Sequence, residues 1–152
     1  MLANSALKLA VNLGTLGCPQ LNARTLARLG VSAMSEVSAV TLLVLRCSDV
    51  ELARVFYEVL GLQLVAEQHS GGPRHYSANL AGTLLELYPR ADLDTRGLRI
   101  GFRVDNVSAA VAGLAKAGGR VLRFDALAKP AFALVEDPDG HKIELTEAAP
   151  VN

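Results

Sequence analysis

The sequence predicts an α+β fold of two β-α-β-β-β units, whose curved sheets surround a cavity with the helices outside. Three observations support this fold. Patterns typical of a strand, a helix and three strands occur in that order, and the same order then returns. The second copy is offset by 57 positions, since 100 − 43 and 118 − 61 give the same spacing for Leu43 with Ile100 and for Gly61 with Gly118. The passage at 137–147 then supplies a turn and a half-buried strand that close the second copy.

The first unit begins with a strand rich in Val and Leu at 40–47. Ser48 and Glu51 match a capping box at the start of a helix, and Gly61 is suited to a left-handed cap at its end. The apolar stripe predicted for this helix consists of Leu52, Val55, Phe56, Val59 and Leu60. Three further strands are predicted at 62–69, 75–80 and 83–88, separated by turn-prone residues.

The second unit repeats this plan. A strand is predicted at 98–104, and Asn106 then caps a helix that ends at Gly118 and Gly119. The apolar stripe of the helix consists of Val107, Ala110, Val111 and Leu114. The remaining strands are predicted at 120–125, 131–136 and 142–146.

Composition narrows the function classes. A chain of 152 residues with 51% hydrophobic residues can bury one sizeable core. Lys plus Arg and Asp plus Glu each number 15, so no net charge favours nucleic acid or an anionic membrane surface. The two cysteines, Cys18 and Cys47, match no zinc spacing and indicate ordinary thiols in a reducing compartment. We therefore expect a cytoplasmic protein that does not bind nucleic acid.

The domain organisation predicted is an N-terminal extension at 1–36 followed by one domain at 37–149. The start of the extension is apolar but interrupted by polar residues, and it lacks the pattern of a secretory signal. It is also too short and too interrupted to span a membrane. Cys18 follows Leu16 and Gly17 as in a lipoprotein signal, but Thr15 stands where an aliphatic residue is usual, which argues against lipidation.

Three passages together resemble the vicinal oxygen chelate superfamily. They read LRCSDVELARVFYEVLGL, FRVDNVSAAVAGLAKAGG and DPDGHKIELTE, and the resemblance covers residues 37–147. That superfamily includes glyoxalase I, extradiol dioxygenases, fosfomycin-resistance enzymes and bleomycin-resistance proteins. The resemblance implies the fold of paired units, whereas the reaction stays open because one fold hosts several activities.

The resemblance also implies four positions for a divalent metal, which correspond here to Leu42, Glu86, Arg99 and Glu144. Leu42 and Arg99 cannot ligate a metal, so we expect no metal and no cofactor. Glu86 and Glu144 would be ligands only if a metal were bound. We predict instead that Arg99 supplies positive charge between these two carboxylates, which would otherwise repel each other.

Strand alternation predicts which side chains share the cavity with the four family positions. The predicted ligand-binding residues are Leu42, Val44, Glu86, Tyr88, Arg99, Arg103 and Glu144. Arg103 fits the rim of the cavity equally well. Alternate residues should face the helices, and these are Leu43, Leu45, Leu85, Leu87, Ile100, Phe102, Ile143 and Leu145.

The histidines carry weaker expectations. His141 follows a turn and is expected to point to solvent. His69 borders a Gly-rich loop, and either His75 or Tyr76 could reach the cavity mouth, although both fit an ordinary surface. A metal site made of all three histidines has no support from their spacing.

The sequence thus favours a metal-independent small-molecule binding protein of the glyoxalase/bleomycin-resistance type, which forms a homodimer. The alternative is a glyoxalase-like lyase or isomerase with an altered metal site, in which Glu86 or Glu144 acts as a base. A third interpretation, that the fold serves only assembly, predicts no cavity that a ligand can enter. The identity of the ligand stays open, as does whether one chain or a dimer forms the cavity.

Overall fold

The computed structural model describes residues 37–148, and the extension predicted at 1–36 lies outside them. The first unit contains β1 (Leu42–Cys47), α1 (Val50–Val59), β2 (Val65–Glu67), β3 (His75–Leu80) and β4 (Thr83–Pro89). The second contains β5 (Arg99–Val104), α2 (Val107–Lys116), β6 (Arg120–Asp125), β7 (Phe132–Glu136) and β8 (Lys142–Glu147). Neither of the two described helices is long and apolar enough to cross a membrane.

Each unit forms one sheet of four strands, and the predicted α+β fold of two β-α-β-β-β units is confirmed. The strand order is β1-β4-β3-β2 in the first sheet and β5-β8-β7-β6 in the second. In both sheets the first and last strands of the unit are parallel neighbours, and the other pairs are antiparallel. The strand predicted at 62–69 shortens to Val65–Glu67, which pairs with β3 and lies at the edge of the sheet that the described strands form.

One face of each sheet packs against the helices and forms the core. In the first sheet Leu45, Leu85 and Leu87 are fully buried, and in the second Ile143 and Leu145 are fully buried. Burial of each such side chain stabilises the fold by about 1.5–3 kcal/mol. The alternation predicted for these strands is confirmed. It leaves the opposite face of each sheet to the side chains predicted to bind a ligand.

Two details of α1 differ from the prediction. Asp49, not Ser48, is the N-cap, and its side chain accepts hydrogen bonds from the backbone N–H groups of Glu51 and Leu52 at 2.9 and 3.0 Å. The buried face consists of Ala53, Phe56 and Tyr57, whereas three members of the predicted stripe, Leu52, Val55 and Val59, remain 41–45% exposed. The buried face includes Tyr57, whose hydroxyl donates to Asp137 at 2.9 Å, a partner that hydrophobic periodicity does not reveal.

The N-cap, the buried stripe and the end of α2 agree with the prediction. Asn106 caps α2 through a hydrogen bond from the N–H of Ala109 at 2.8 Å. Val107, Val111 and Leu114 are the buried residues of its stripe. Gly61 and Gly118 both have a φ of +87°, the left-handed conformation that ends each helix at equivalent positions.

Candidate functional site

The residues predicted to bind a ligand lie on the sheet faces that point away from the helices. Val44 on β1 is the register partner of Glu86 on β4, and Gly101 on β5 is the partner of Glu144 on β8. The first sheet carries Leu42, Val44, Glu86 and Tyr88, and the second carries Arg99, Arg103 and Glu144. Within one chain the seven residues therefore lie in two groups, one on each sheet.

Arg99 and Glu144 form an ion pair on the second sheet. Nε and Nη2 of Arg99 donate to Oε2 of Glu144 at 2.8 and 2.5 Å. Their side chains are 57% and 31% exposed, so water screens the pair. Among residues 37–148 no hydrogen bond joins Arg99 to Glu86, which lies on the other sheet. The expected bridge between the two carboxylates therefore stays a prediction.

The group on the first sheet is open in the single chain. Leu42 is 51% exposed and Val65, on the same face, is 60% exposed. A cavity of about 320 Å³ lies elsewhere, between Leu60 at the end of α1 and Asn106 at the start of α2. The expected ligand cavity on the sheet faces therefore remains a prediction.

A row of stacked side chains crosses the face of the first sheet that points away from the helices. The guanidinium carbon of Arg46 lies 5.1 Å from the ring centre of Tyr88. Tyr88 stacks on His75 with 4.0 Å between ring centres and 17° between ring planes. Such contacts restrict the rings, so Tyr88 is held in place before any ligand arrives.

His75 is completely buried, which overturns the interpretation of it as ordinary surface. Its Nδ1 lies 3.2 Å from the carbonyl oxygen of Pro73, and its Nε2 lies 3.6 Å from Oε2 of Glu67. His69 Nε2 is 3.2 Å from the same carboxylate oxygen. The nearby Ser77 hydroxyl lowers the pKa of Glu67 most, desolvation raises it, and the adjacent His69 and His75 rings lower it further, so that the net shift is downward.

The sequence contains a signal for this cluster that neither the spacing of the histidines nor strand alternation reveals. Glu67 and His75 are register partners in the hairpin formed by β2 and β3. Ser70 and Gly71, both at positive φ, turn the chain so that His69 returns over His75. Pairing the two strands across the Gly-rich turn would have placed the three side chains together.

His141 is fully buried, so the expectation that it points to solvent is wrong. Its Nδ1 lies 2.7 Å from Oδ2 of Asp137, and its Nε2 lies 2.7 Å from the hydroxyl of Thr95. Asp137 Oδ2 also accepts from the Tyr57 hydroxyl at 2.9 Å. Burial raises the pKa of Asp137, but the hydrogen bonds and charge of His141 and the Tyr57 hydroxyl outweigh it and leave that pKa lowered. This histidine therefore has a structural role.

Asp139 joins the two units from the turn before β8. Its Oδ1 accepts hydrogen bonds from the backbone N–H and the hydroxyl of Ser48, both at 2.7 Å, and from Arg90 at 2.6 Å.

Burial, together with the nearby Asp139 and Asp137 carboxylates, raises the pKa of the Cys47 thiol well above its ordinary value. Cys47 is thus an unreactive core residue.

Comparison with known proteins agrees with the fold of two paired units. The sequence profile of the Glyoxalase/Bleomycin resistance protein/Dioxygenase superfamily matches residues 39–145. A search of curated proteins finds no match. The match covers both units and starts close to the first described residue.

Several solved structures share the fold. TnmS3, an antibiotic binding protein from Streptomyces sp. CB03234, is 30% identical, with a TM-score of 0.60 over 76% of this chain and 99% of its own. A glyoxalase/bleomycin resistance protein from the same organism is 30% identical, with a TM-score of 0.56 over 71% of this chain and 99% of its own. A glyoxalase-related enzyme from Fulvimarina pelagi is 22% identical, with a TM-score of 0.60 over 76% and 94%. With its paired units, the profile match over 39–145 and these relatives, the chain belongs to the Glyoxalase/Bleomycin resistance protein/Dioxygenase superfamily.

Proposed function

We propose that this chain is a small-molecule binding protein that holds its ligand against the exposed faces of its two sheets, without a metal at the four family positions. The ion pair between Arg99 and Glu144 is the observation that carries the proposal. It commits one of the two available carboxylates to a permanent cation, and Leu42 offers no donor atom. The 30% identity to an antibiotic binding protein supports an organic ligand of that class.

The chemistry of the two faces supports a flat ligand with polar oxygen atoms. Leu42, Val44 and Tyr88 offer apolar and aromatic contact on the first sheet. Arg103 is exposed on the second sheet and forms no ion pair with any residue in 37–148. An aromatic ring could stack on Tyr88 while its oxygen atoms accept hydrogen bonds from Arg103.

The same faces support a homodimer. Leu42 and Val65 expose 51% and 60% of their surface in one chain, beside side chains proposed to bind ligand. A second copy related by two-fold symmetry would cover the first sheet of one chain with the second sheet of its partner. The two groups of predicted ligand-binding residues would then meet across the interface as two halves of one site.

We also propose that the protein is cytoplasmic, because Cys47 is a free thiol and the cytoplasm keeps thiols reduced.

Light scattering at micromolar concentration tests the homodimer. We expect the mass of two chains for the natural protein and of one chain for Leu42→Arg. Ala115→Arg, which places the same charge on an exposed position of α2, should remain dimeric. A monomeric mass for the natural protein would refute the shared site.

Ligand binding is tested by a thermal-shift screen of antibiotics, sugars and small anions in the presence of EDTA. The dissociation constant of any hit should rise at least about tenfold in Tyr88→Leu and in Arg103→Ala, which is roughly 1.4 kcal/mol of binding free energy. Lys116→Ala replaces an exposed residue in the last turn of α2 and serves as the control. This variant should bind the hit with the dissociation constant of the natural protein. A hit that EDTA abolishes would contradict binding without a metal, and a screen without hits would favour the assembly interpretation.

One observation supports the alternative of a glyoxalase-like lyase or isomerase. Glu86 is half-buried and makes no side-chain hydrogen bond to another residue in 37–148, so its carboxylate is available as a general base. Nuclear magnetic resonance spectra of a bound ligand after long incubation distinguish the two functions. Product signals that form with the natural protein but not with Glu86→Gln would establish an enzyme, whereas an unchanged ligand supports binding alone.

A further inference from the structure

Two imidazoles and a carboxylate converge at the β2 edge of the first sheet. One donor atom from each of Glu67, His69 and His75 lies within 4.8 Å of the other two. Oε2 of Glu67 is 3.2 Å from His69 Nε2 and 3.6 Å from His75 Nε2. Ligand atoms around a tetrahedral zinc ion with bonds of ~2.0–2.1 Å are roughly 3.3 Å apart. Two of the three separations are therefore already close to those of a metal site.

The unpartnered nitrogen of His75 is the second observation. The His75 side chain is 1% exposed, and its Nε2 has no hydrogen-bond partner among the described residues. The Pro73 carbonyl can only accept, so its contact at 3.2 Å places the proton of a neutral ring on Nδ1. The lone pair of Nε2 then faces the Glu67 carboxylate, an arrangement that a cation between them would satisfy. An N–H···O=C bond on the far nitrogen is also typical of histidines that bind metals.

The surrounding residues fix two of the three ligands and leave the third adjustable. Tyr88 stacks on the His75 ring at 4.0 Å and sets its plane. Glu67 is placed by the pairing of β2 with β3, in which it is the register partner of His75. The His69 side chain is 69% exposed in the turn, so its ring can move toward His75 without disturbing the core. The site is therefore largely formed before an ion enters.

No other pair of imidazoles is available to a metal. The chain has 3 histidines, and both ring nitrogens of His141 lie within hydrogen-bond distance of partners. The family positions carry Leu42 and Arg99 in place of nitrogen ligands. Uptake of a metal that prefers imidazole would therefore report on His69 and His75.

We propose that Glu67, His69 and His75 form a binding site for a divalent transition metal such as Zn²⁺, Ni²⁺ or Co²⁺. Two imidazoles and one carboxylate suit these ions, whereas Mg²⁺ and Ca²⁺ prefer oxygen ligands alone. The exposed side of the cluster leaves a fourth position for water. This site is separate from the four family positions and stands independently of the proposed ligand-binding function.

Titration of the untagged, EDTA-treated full chain with Zn²⁺ and Co²⁺ tests the site. Calorimetry should give one ion per chain, and the visible absorption of Co²⁺ should show the intensity of tetrahedral coordination. His69→Ala, Glu67→Gln and His75→Phe should each weaken binding by at least about tenfold. His69→Ala changes an exposed residue, and His75→Phe keeps a ring against Tyr88, so these two variants should remain folded by circular dichroism.

The double variant Glu86→Gln/Glu144→Gln is the matched control, because it removes both carboxylates of the family positions and leaves the cluster intact. It should bind Zn²⁺ as tightly as the natural protein. The proposal is overturned if the natural protein takes up no Zn²⁺ at micromolar concentrations, or if folded His69→Ala binds as the natural protein does. It is equally overturned if the double variant alone loses the metal, which would place the ion at the family positions.

Discussion

Asp137 and His141 form a buried pair, with Oδ2 and Nδ1 2.7 Å apart and both side chains at 0% exposure. Asp137 Oδ1 also accepts from the backbone N–H groups of Asp139 and His141, each at 2.9 Å. The carboxylate thus organises the turn that leads into β8 and joins it to Tyr57 on α1. A carboxylate with this many donors is a structural centre of the domain.

Replacing His141 should therefore destabilise the protein. His141→Ala removes the ring that contacts Asp137 and Thr95 and leaves buried polar groups without partners. We expect the free energy of unfolding to fall by about 2–4 kcal/mol, measured by urea denaturation. His69→Ala, at a side chain 69% exposed, is the control and should unfold like the natural protein. Equal stability of the two variants would contradict a structural role for His141.

The stability should also depend on pH through Asp137. Its pKa is lowered in the folded state, so the unfolded chain binds a proton first as the pH falls. The stabilisation is complete above the ordinary pKa of about 3.9 and is lost as the pH falls through the lower folded value. The difference in unfolding free energy between the natural protein and Asp137→Asn should shrink below about pH 4. A difference that stays constant down to pH 3 would show that another group is responsible.

A matched pair of glycine substitutions tests the packing between helix and sheet. A Cβ on Gly119 would lie 2.7 Å from a ring carbon of Phe56 and 2.9 Å from the carbonyl oxygen of Leu114. Gly119→Ala should lower the free energy of unfolding by about 1–3 kcal/mol. Gly101→Ala, on β5 with no atom within 4 Å of the new Cβ, should be neutral or stabilising by up to about 1 kcal/mol. Thermal denaturation of both variants provides the measurement.

The Cys47 thiol should react only when the protein unfolds. It has 0% exposure, and burial raises its pKa, so little thiolate forms at neutral pH. In a Cys18→Ser variant, which leaves Cys47 as the only thiol, a chromogenic disulfide reagent should label the native protein at the rate of unfolding. The same reagent should label the protein at once in urea. Rapid labelling without urea would show that the thiol is accessible.

Removal of residues 1–36 should leave a folded domain, because 37–148 contains both units and their core. We expect the truncated chain to melt cooperatively and at the temperature of the full chain. Loss of a cooperative transition would show that the N-terminal segment contributes to the core. Calorimetry of both chains makes the comparison.

Much of the fold could be predicted because it depends on local patterns. Alternation along β4 and β8 correctly separated buried Leu85 and Leu145 from Glu86 and Glu144, since a strand has a strict period of two. Capping chemistry likewise identified Asn106. These signals need no knowledge of distant contacts.

The rest depended on residues far apart in the chain. The burial of His141 could not be predicted from its neighbour Asp137 alone, because the pair also contacts Thr95, 46 positions from His141, and no sequence pattern connects them. The predicted stripe of α1 omitted Tyr57, whose hydroxyl partner Asp137 lies 80 positions away. Within the site, Arg99 pairs with Glu144 across neighbouring parallel strands, whereas Glu86 lies on the other sheet. Sequence alone could identify which side chains lie on each face of the two sheets, but not which distant side chains they contact.

The turn at 137–141 also has a consequence for how the chain folds. Ser48 meets Asp139 across 91 positions and Tyr57 meets Asp137 across 80, so these contacts have a high sequence separation. Closing such long loops slows folding, because the chain entropy is lost before the contacts form. During synthesis the first unit leaves the ribosome long before its buried hydrogen-bond partners exist. The contacts with Asp137 and Asp139 can form only after the turn at 137–141 has been made, so we expect the duplicated halves to complete their folding together rather than one after the other.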